Sequence, residues 1–265
     1  MKRKHILSHI FIWISVAVAL FPILFVFVQS FMEPGEIVSR YSSEIMESNV
    51  SDFSSHNIHF VRFGLLPEQP TLEQYKQLLL ESPQYLRMFW NSVILVVPIL
   101  LGQCVIAPLA AYGFENIRWK YKEAIYFMYI IVMLMPTQIL LVPNFIVAGW
   151  LNIRDSYLAI ILPAMFHPLG VFLIRQQLKS FPKECMEAAA LDGAGTFQIY
   201  RQIVRPNLSS VVAALVVLLF ADNWNIIDQA VVFVTELYEN PLSVYLGSVA
   251  AEEPGMFFAV SVFYL

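Results

Sequence analysis

Five stretches of this chain are too long and too apolar to form the interior of a water-soluble domain: Ile6 to Phe31, Phe89 to Gly113, Ala124 to Trp150, Tyr157 to Ile174 and Leu208 to about Val234. Roughly 20 apolar residues carry a helix across a hydrocarbon core. A helix is also what lipid demands, because backbone groups there find no water to pair with. A sixth apolar run begins at Met256 and ends with the sequence at Leu265. At helical rise it reaches only about 15 Å, and the expectation is a sixth span cut short. Charged residues make up 14% of the chain and apolar ones 58%, against about a quarter charged in soluble domains. The predicted fold class is an all-α polytopic membrane protein.

Residues 1–31 read as an N-terminal tail and first transmembrane helix. Lys2, Arg3 and Lys4 precede the run, and Ala17-Val18-Ala19 resembles a cleavage site. The apolar run continues through Phe21 to Phe31, too long for a signal-peptide core, so an uncleaved anchor is expected. Residues 32–88 carry eight acids, four bases and scattered Ser, Pro and His, the composition of an external loop. Residues 89–265 form the core transmembrane region, with a polar cytoplasmic loop at about 179–207.

Orientation follows from Lys and Arg. With the N-terminus in the cytoplasm, eleven fall on inside segments and five, Arg40, Arg62, Lys76, Arg87 and Arg154, fall outside. The stretch from Asp222 to Pro254 contains no Lys or Arg but holds Asp222, Asp228, Glu236, Glu239, Glu252 and Glu253. The positive-inside rule therefore places the N-terminus and the 179–207 loop in the cytoplasm of a cell membrane.

Several chemistries find no support. Cys104 lies within the second span and Cys185 in the cytoplasmic loop, so no disulfide or CxxC metal pair is expected. His5 and His9, and His56 and His59, lack the Glu of a metalloprotease helix and read as solvated imidazoles. No Walker-type glycine loop is present, so the chain cannot cradle nucleotide phosphates itself and energy must come from elsewhere. A net charge of −4 gives no footprint for nucleic acid. Asn49-Val50-Ser51 is a glycosylation sequon by pattern alone, and no GxxxG pair marks a tight helix dimer.

Pro22, Pro98, Pro108, Pro136, Pro143, Pro163 and Pro168 fall inside the spans. Each removes a backbone donor and kinks or loosens its helix, which suits a pathway that opens and closes, although proline is also common in membrane helices generally. In the fifth run, Asp222, Asn225 and Gln229 are spaced i, i+3 and i+7, on one face of a continuous helix. If that helix starts near Ser209, Asp222 lies about 20 Å and Asp228 about 29 Å along it. Two readings stay open there: a lining for a solute pathway, or a helix that has already reached the outer interface.

The loop holds the sharpest signal. Lys183 to Ala194 reads as a short helix built on Ala188, Ala189 and Ala190 and ended by Gly193 with Gly195. Thr196 is expected to cap a second helical turn running toward Arg205, and Pro206 opens the next span. Helix, glycine break, helix makes a compact knob. Glu187 and Asp192 offer carboxylates to a partner's Arg, and Phe197 and Tyr200 offer apolar anchors.

The spacing Glu187-Ala188-Ala189, three residues, Gly193, nine residues, Ile203, two residues, Pro206 resembles the EAA loop of ABC-importer permeases. Asp192 and Ala194 extend the match, and Arg205 departs from it where the pattern usually has Leu. Leu72 to Tyr75, Asn91-Ser92 with Ala110-Ala111-Tyr112, Met135-Pro136 with Pro143, Phe172 to Arg175, Phe181-Pro182 and Trp224-Asn225 resemble the MalG-type permeases of carbohydrate importers, so the likeness covers nearly the whole chain. It implies a six-span type I importer permease and a sugar or oligosaccharide as solute. It further implies a second, MalF-like permease subunit, two cytoplasmic ATPase subunits and an extracytoplasmic solute-binding protein. Glu187, Ala188, Ala189, Asp192, Gly193, Ile203 and Pro206 would then couple to the ATPase, and Asp222, Asn225 and Gln229 would line the path. Such a subunit has no covalent chemistry and no cofactor of its own. A non-sugar solute, a secondary transporter and an intramembrane hydrolase are the competing classes. The last two lack the intramembrane charge sites or nucleophile they need, Asp222 being the one hint of the former.

Overall fold

The apolar runs are helical along most of their length. The computed structural model describes residues 2–47, 64–117, 119–236 and 239–265. The sequon at Asn49 and the His56/His59 pair lie outside the described residues. Among those described, no strand forms beyond one isolated bridge between Met32 and Pro70. The chain divides into two units, 1–88 with 242–265, and 89–241.

The first unit holds α1 (Lys2–Gln29), α2 (Pro34–Glu47), α3 (Glu73–Lys76, running into a wider turn at Gln77–Glu81), the start of α4 (Pro83–Asn116), α14 (Leu242–Glu252) and α15 (Phe257–Tyr264). In α1 the stretch Phe11–Gln29 is long and apolar enough to span, and side chains such as Phe11 and Trp13 face outward as lipid contact requires. Residues 32–88, expected as a loop, contain α2, α3 and the first turns of α4. The unit is held by Gln74, which is fully buried. Its Nε2 donates to the carbonyls of Gln29 (3.2 Å) and Met32 (2.7 Å), and its Oε1 accepts from the Ala259 amide (3.1 Å). The Met32 carbonyl and the Ala259 amide lie just past the end of α1 and at the start of α15, where a helix leaves backbone groups without an in-helix partner, and the Gln29 carbonyl also accepts from the Met32 amide at 3.0 Å. One side-chain amide therefore ties the two ends of the chain together. Around it, Met32, Ile37 and Phe258 form a small core, with Phe25 and Tyr41 edge-on to Phe258 at 6.3 and 5.6 Å.

The second unit contains the rest of α4 followed by α5 (Lys122–Met133), α6 (Thr137–Trp150), α7 (Leu158–Met165), α8 (Pro168–Lys179), α9 (Lys183–Leu191), α10 (Thr196–Ile199), α11 (Arg205–Asn207), α12 (Ser209–Trp224) and α13 (Asp228–Phe233). Two runs expected as single spans are broken. The third bends by 108° between α5 and α6, at Leu134 to Pro136, where Pro136 has no amide to continue the ladder. The fifth ends at Trp224: Asn225 caps α12, its Nδ2 donating back to the Ala221 carbonyl at 2.6 Å, and α13 starts afresh at Asp228. Asn side chains that bond their own backbone compete with the helix in this way. The linear rise estimated for Asp228 therefore fails. Among the described residues three helices are long and apolar enough to cross a membrane, up to five if α5 with α6, bent by 108°, and Thr196–Asn207 with α12, bent by 70°, each count as one span, and Pro254–Tyr264 is apolar but shorter.

The prolines sort by position. Pro136 and Pro168 sit at breaks, whereas Pro22, Pro98, Pro108, Pro143 and Pro163 lie inside helices that continue through them. Two buried clusters organise the unit. One joins α4 (Ala107, Ala111, Tyr112), α8 (Val171, Ile174, Leu178) and α12 (Leu215, Leu219). The other joins α4 (Leu95, Ile99), α6 (Ala148), α7 (Ala159, Ile160, Ile161) and Phe233 of α13.

Candidate functional site: a helical knob and a polar cavity

The segment 183–207 forms the knob that its sequence predicts, with a defined inside and outside. The end of α9 closes as a Schellman motif: the Gly193 amide donates to Ala190 O (3.1 Å) and the Ala194 amide to Ala189 O (3.0 Å). Gly193 carries φ +85°, the left-handed region where a Cβ is costly. Met186, Ile199, Tyr200 and Val204 are buried against α4 and α8. Each such side chain contributes roughly 1.5–3 kcal/mol when fully removed from solvent. The Tyr112 hydroxyl of α4 donates to the Thr196 carbonyl (3.1 Å), and the Tyr112 and Tyr200 rings lie 5.3 Å apart.

Glu187, Ala188, Ala190, Asp192 and Gly193 are exposed, as are Leu191 (89%) and Phe197 (68%). Two expectations change. Tyr200 points into the core and anchors the knob, so it is not available to a partner, and Leu191 takes its place on the outer surface. Gly195 is the N-cap of α10, with Thr196 as its first helical residue and no side-chain cap. Of the motif residues, Ala189 and Ile203 are half-buried, whereas Pro206 and the off-pattern Arg205 are exposed.

Directly above the knob lies an ionic node that the sequence does not announce. Arg175 of α8, its side chain 3% exposed, pairs with Glu123 Oε1 of α5 at 2.6 Å and with Glu115 Oε2 of α4 at 3.4 Å. Its guanidinium stacks 3.9 Å from the centre of the Tyr126 ring. Lys183, the first residue of α9, reaches the other Glu115 oxygen at 3.6 Å. Four helices thus meet on two carboxylates. Planar Arg suits this place because it can pair and stack at once.

The α7–α8 break is satisfied by side chains from two neighbours. Pro168 has no N–H to offer Ala164, four residues earlier. Gln103 of α4 supplies one, Nε2 donating to Ala164 O (2.9 Å) and to His167 O (3.2 Å), while the Tyr129 hydroxyl of α5 donates to Phe166 O (2.8 Å). His167 caps α8 by accepting from the Leu169 amide at Nδ1 (3.4 Å). Gly170 permits the close packing, because a Cβ there would stand 2.7 Å from Gln103 Oε1, 2.9 Å from Ala107 Cβ and 3.0 Å from Leu215 Cδ2.

Beside this break are two adjoining cavities of 110 and 250 Å³ that share Thr137, Asp222, Asn223, Ile226 and Gln229 in their walls. Asn144 and His167 line the smaller, Asn225 and Asp228 the larger. The three residues expected on one helical face do gather here, although no continuous helix carries them: the break at Asn225 folds Gln229 back toward Asp222. Asp228 Oδ2 accepts from Gln138 Nε2 of α6 (2.8 Å), pinning α13. Thr137, Asn144 and His167 lie 85, 78 and 55 residues before Asp222, and sequence spacing could not associate them. The His-Pro dipeptide at 167–168 was the one available hint, as an N-cap followed by proline at the first helical position.

These features define a polytopic helical membrane subunit that exposes a helical loop and gathers polar groups between its helices. Residues 88–265 match the family described as binding-protein-dependent transport system inner membrane component. The chain belongs to that family; it is a permease subunit of an ABC importer, integral to the inner membrane. The sn-glycerol-3-phosphate transport system permease protein UgpE of Brucella abortus is 26% identical over 227 residues, covering 83% of this chain and 73% of the relative. The lactose transport system permease protein LacG of Rhizobium radiobacter is 34% identical over 138 residues, covering 52% and 50%. A crystal structure of a bacterial ABC transporter involved in the import of the acidic polysaccharide alginate superposes with a TM-score of 0.80 at 19% identity, covering 99% of this chain and 91% of that one. A second, of the alginate transporter with a periplasmic protein bound to an alginate pentasaccharide, gives 0.59 at 16% identity over 73% of this chain and 76% of that one. At these identities the structural likeness concerns the fold.

Proposed function

We propose that this permease moves a sugar or oligosaccharide received from an extracytoplasmic binding protein, together with a second permease subunit, and is driven by two separate cytoplasmic ATPase subunits. Membership of the family and relatives named for lactose and sn-glycerol-3-phosphate support a polyhydroxylated solute. The N-terminus and the knob face the cytoplasm, on the strength of the Lys/Arg distribution. Residues 32–88 lie mainly outside and 89–265 carry the path.

The observation that carries the reading is the knob's two-sidedness. Its inner face is fixed to α4 and α8, while Glu187, Ala188, Leu191, Asp192 and Phe197 are exposed on its outer face, Phe197 with one ring contact to Tyr200 at 6.2 Å. Seated in a groove of an ATPase, this body would pass the groove's displacement to α8 and α4 directly. Through Arg175 the same movement reaches α5. The polar cavity beside the α7–α8 and α12–α13 breaks is where the spans can change their mutual contact, and Asp222, Asn225 and Gln229 line the path there. Alternating access follows, with solute held differently in the two states.

The experiment is to purify the assembled importer carrying Gly193→Val or Glu187→Ala. A Cβ at Gly193 would meet no atom within 4 Å, so Val acts through the unfavourable φ, about 1–2 kcal/mol, and through the surface it offers the ATPase. Loss of Glu187 removes a carboxylate whose bond to a partner Arg would contribute about 1.5–3 kcal/mol. Both variants should insert normally, retain less ATPase and lose binding-protein-stimulated ATP hydrolysis. Wild-type values in both assays would remove the knob as the coupling surface.

A further inference from the structure

The charge on the cavity walls specifies the solute more narrowly than the family does. This step rests on the reading of the cavity as part of the path. Asp222 and Asp228 contribute two carboxylates, Asn144, Asn225 and Gln229 contribute amides, and Thr137 contributes a hydroxyl. None of the described residues lining either cavity is Lys or Arg. The whole stretch from Asp222 to Pro254 also lacks both. The nearby buried cation of the unit, Arg175, is committed to Glu115 and Glu123. His167 is the other titratable group on the walls, and its Nδ1 is engaged by the Leu169 amide.

Such walls suit hydroxyl-rich molecules without negative charge. A carboxylate accepts two hydroxyl protons from neighbouring carbons of a sugar ring in charge-assisted bonds, and amides supply both donors and acceptors around it. An anion meets the opposite situation. Held about 6 Å from one uncompensated carboxylate at an effective dielectric constant of about 40, it binds roughly tenfold more weakly than its neutral analogue. We propose that the path through this chain is built for a neutral or amino-substituted carbohydrate and disfavours anionic solutes. On this point it differs from the systems named for sn-glycerol-3-phosphate and alginate that it otherwise resembles.

The test measures the sign of the potential without knowing the solute. A single cysteine replaces Thr137 in a chain with Cys104→Ala and Cys185→Ser, within the assembled importer in proteoliposomes supplied with binding protein and ATP. Its modification by cationic 2-(trimethylammonium)ethyl methanethiosulfonate is compared with that by anionic 2-sulfonatoethyl methanethiosulfonate, each divided by its rate on a free thiol. The cationic reagent should react on the order of tenfold faster, and Asp222→Asn should bring the ratio down severalfold. Equal rates, or a faster anion, overturn the charge assignment while leaving the cavity in the path. No modification during turnover removes the cavity from the path, and the proposal falls with it. Uptake of sn-glycerol-3-phosphate or an alginate oligosaccharide by the complete importer as fast as a neutral oligosaccharide would overturn it as well.

Discussion

Replacing Arg175 by Met should expose how unequally its two carboxylates depend on it. The Glu123 side chain is 65% exposed and that of Glu115 is 11% exposed. Although the Glu123 contact is the shorter, at 2.6 Å against 3.4 Å, an exposed carboxylate regains water when its partner leaves, and such pairs contribute about 0.2–1 kcal/mol. A buried carboxylate left behind is different, since breaking a buried pair costs about 3–5 kcal/mol. Lys183 stays 3.6 Å from Glu115 and offsets part of that, while losing the stack on Tyr126 adds about 1–2 kcal/mol. The expected cost of Arg175→Met is about 3–4 kcal/mol. Arg175→Lys keeps the charge but loses the fork and the stack, and should recover less than half. Adding Glu115→Gln to Arg175→Met removes the orphaned charge, so the two losses should fall short of additivity by about 2 kcal/mol, whereas Glu123→Gln should couple by under about 1 kcal/mol. The assay is detergent-induced unfolding of the purified protein, taken around both double-mutant cycles. Coupling to Glu123 equal to or larger than coupling to Glu115 would refute the reasoning, because burial rather than distance would then not be deciding the outcome.

Three further outcomes are expected. Gly170→Ala should destabilise the protein by about 1–3 kcal/mol through overpacking, and Ala107→Gly in the same chain should restore part of it; an unchanged unfolding midpoint in the single variant would contradict the tight α4–α8 contact. Gln74→Leu strands the Met32 carbonyl and the Ala259 amide, each at about 1–3 kcal/mol, so limited proteolysis should cut near α15 faster than in the wild type, and Gln74→Glu should not rescue because its carboxylate cannot donate; equal cleavage would show that the amide does not hold these segments together. In a Cys-free background, Glu239→Cys should react with a membrane-impermeant thiol reagent on intact cells and Gln198→Cys should not, whereas labelling at Gln198 would reverse the proposed orientation.

The features legible in the sequence were those written in neighbouring residues. Five long apolar runs required helices because lipid leaves the backbone no other partner. The alanine run and Gly193 specified a helix and its stop within a dozen residues, and the glycine does adopt the positive φ that makes it necessary there. Prolines located potential breaks without saying which would open: Pro98 and Pro108 pass through one 34-residue helix, while Pro136 marks a 108° bend. That difference depends on whether other helices donate to the carbonyls at the break, as Gln103 and Tyr129 do before Pro168. Facing was the least legible property. In a soluble helix the polar side marks the surface, but in a span both the lipid side and the packed side are apolar; in the knob, Tyr200 turns inward and Leu191 outward although both are large apolar side chains. The Arg175 node joins residues 52 and 60 positions apart, and the cavity collects its walls from four helices. The sequence by itself determined which segments are apolar and helical, because the cost of an unpaired backbone in lipid is local; the tertiary structure alone decided where those helices break and which polar side chains meet, because that depends on how the helices bend and pack.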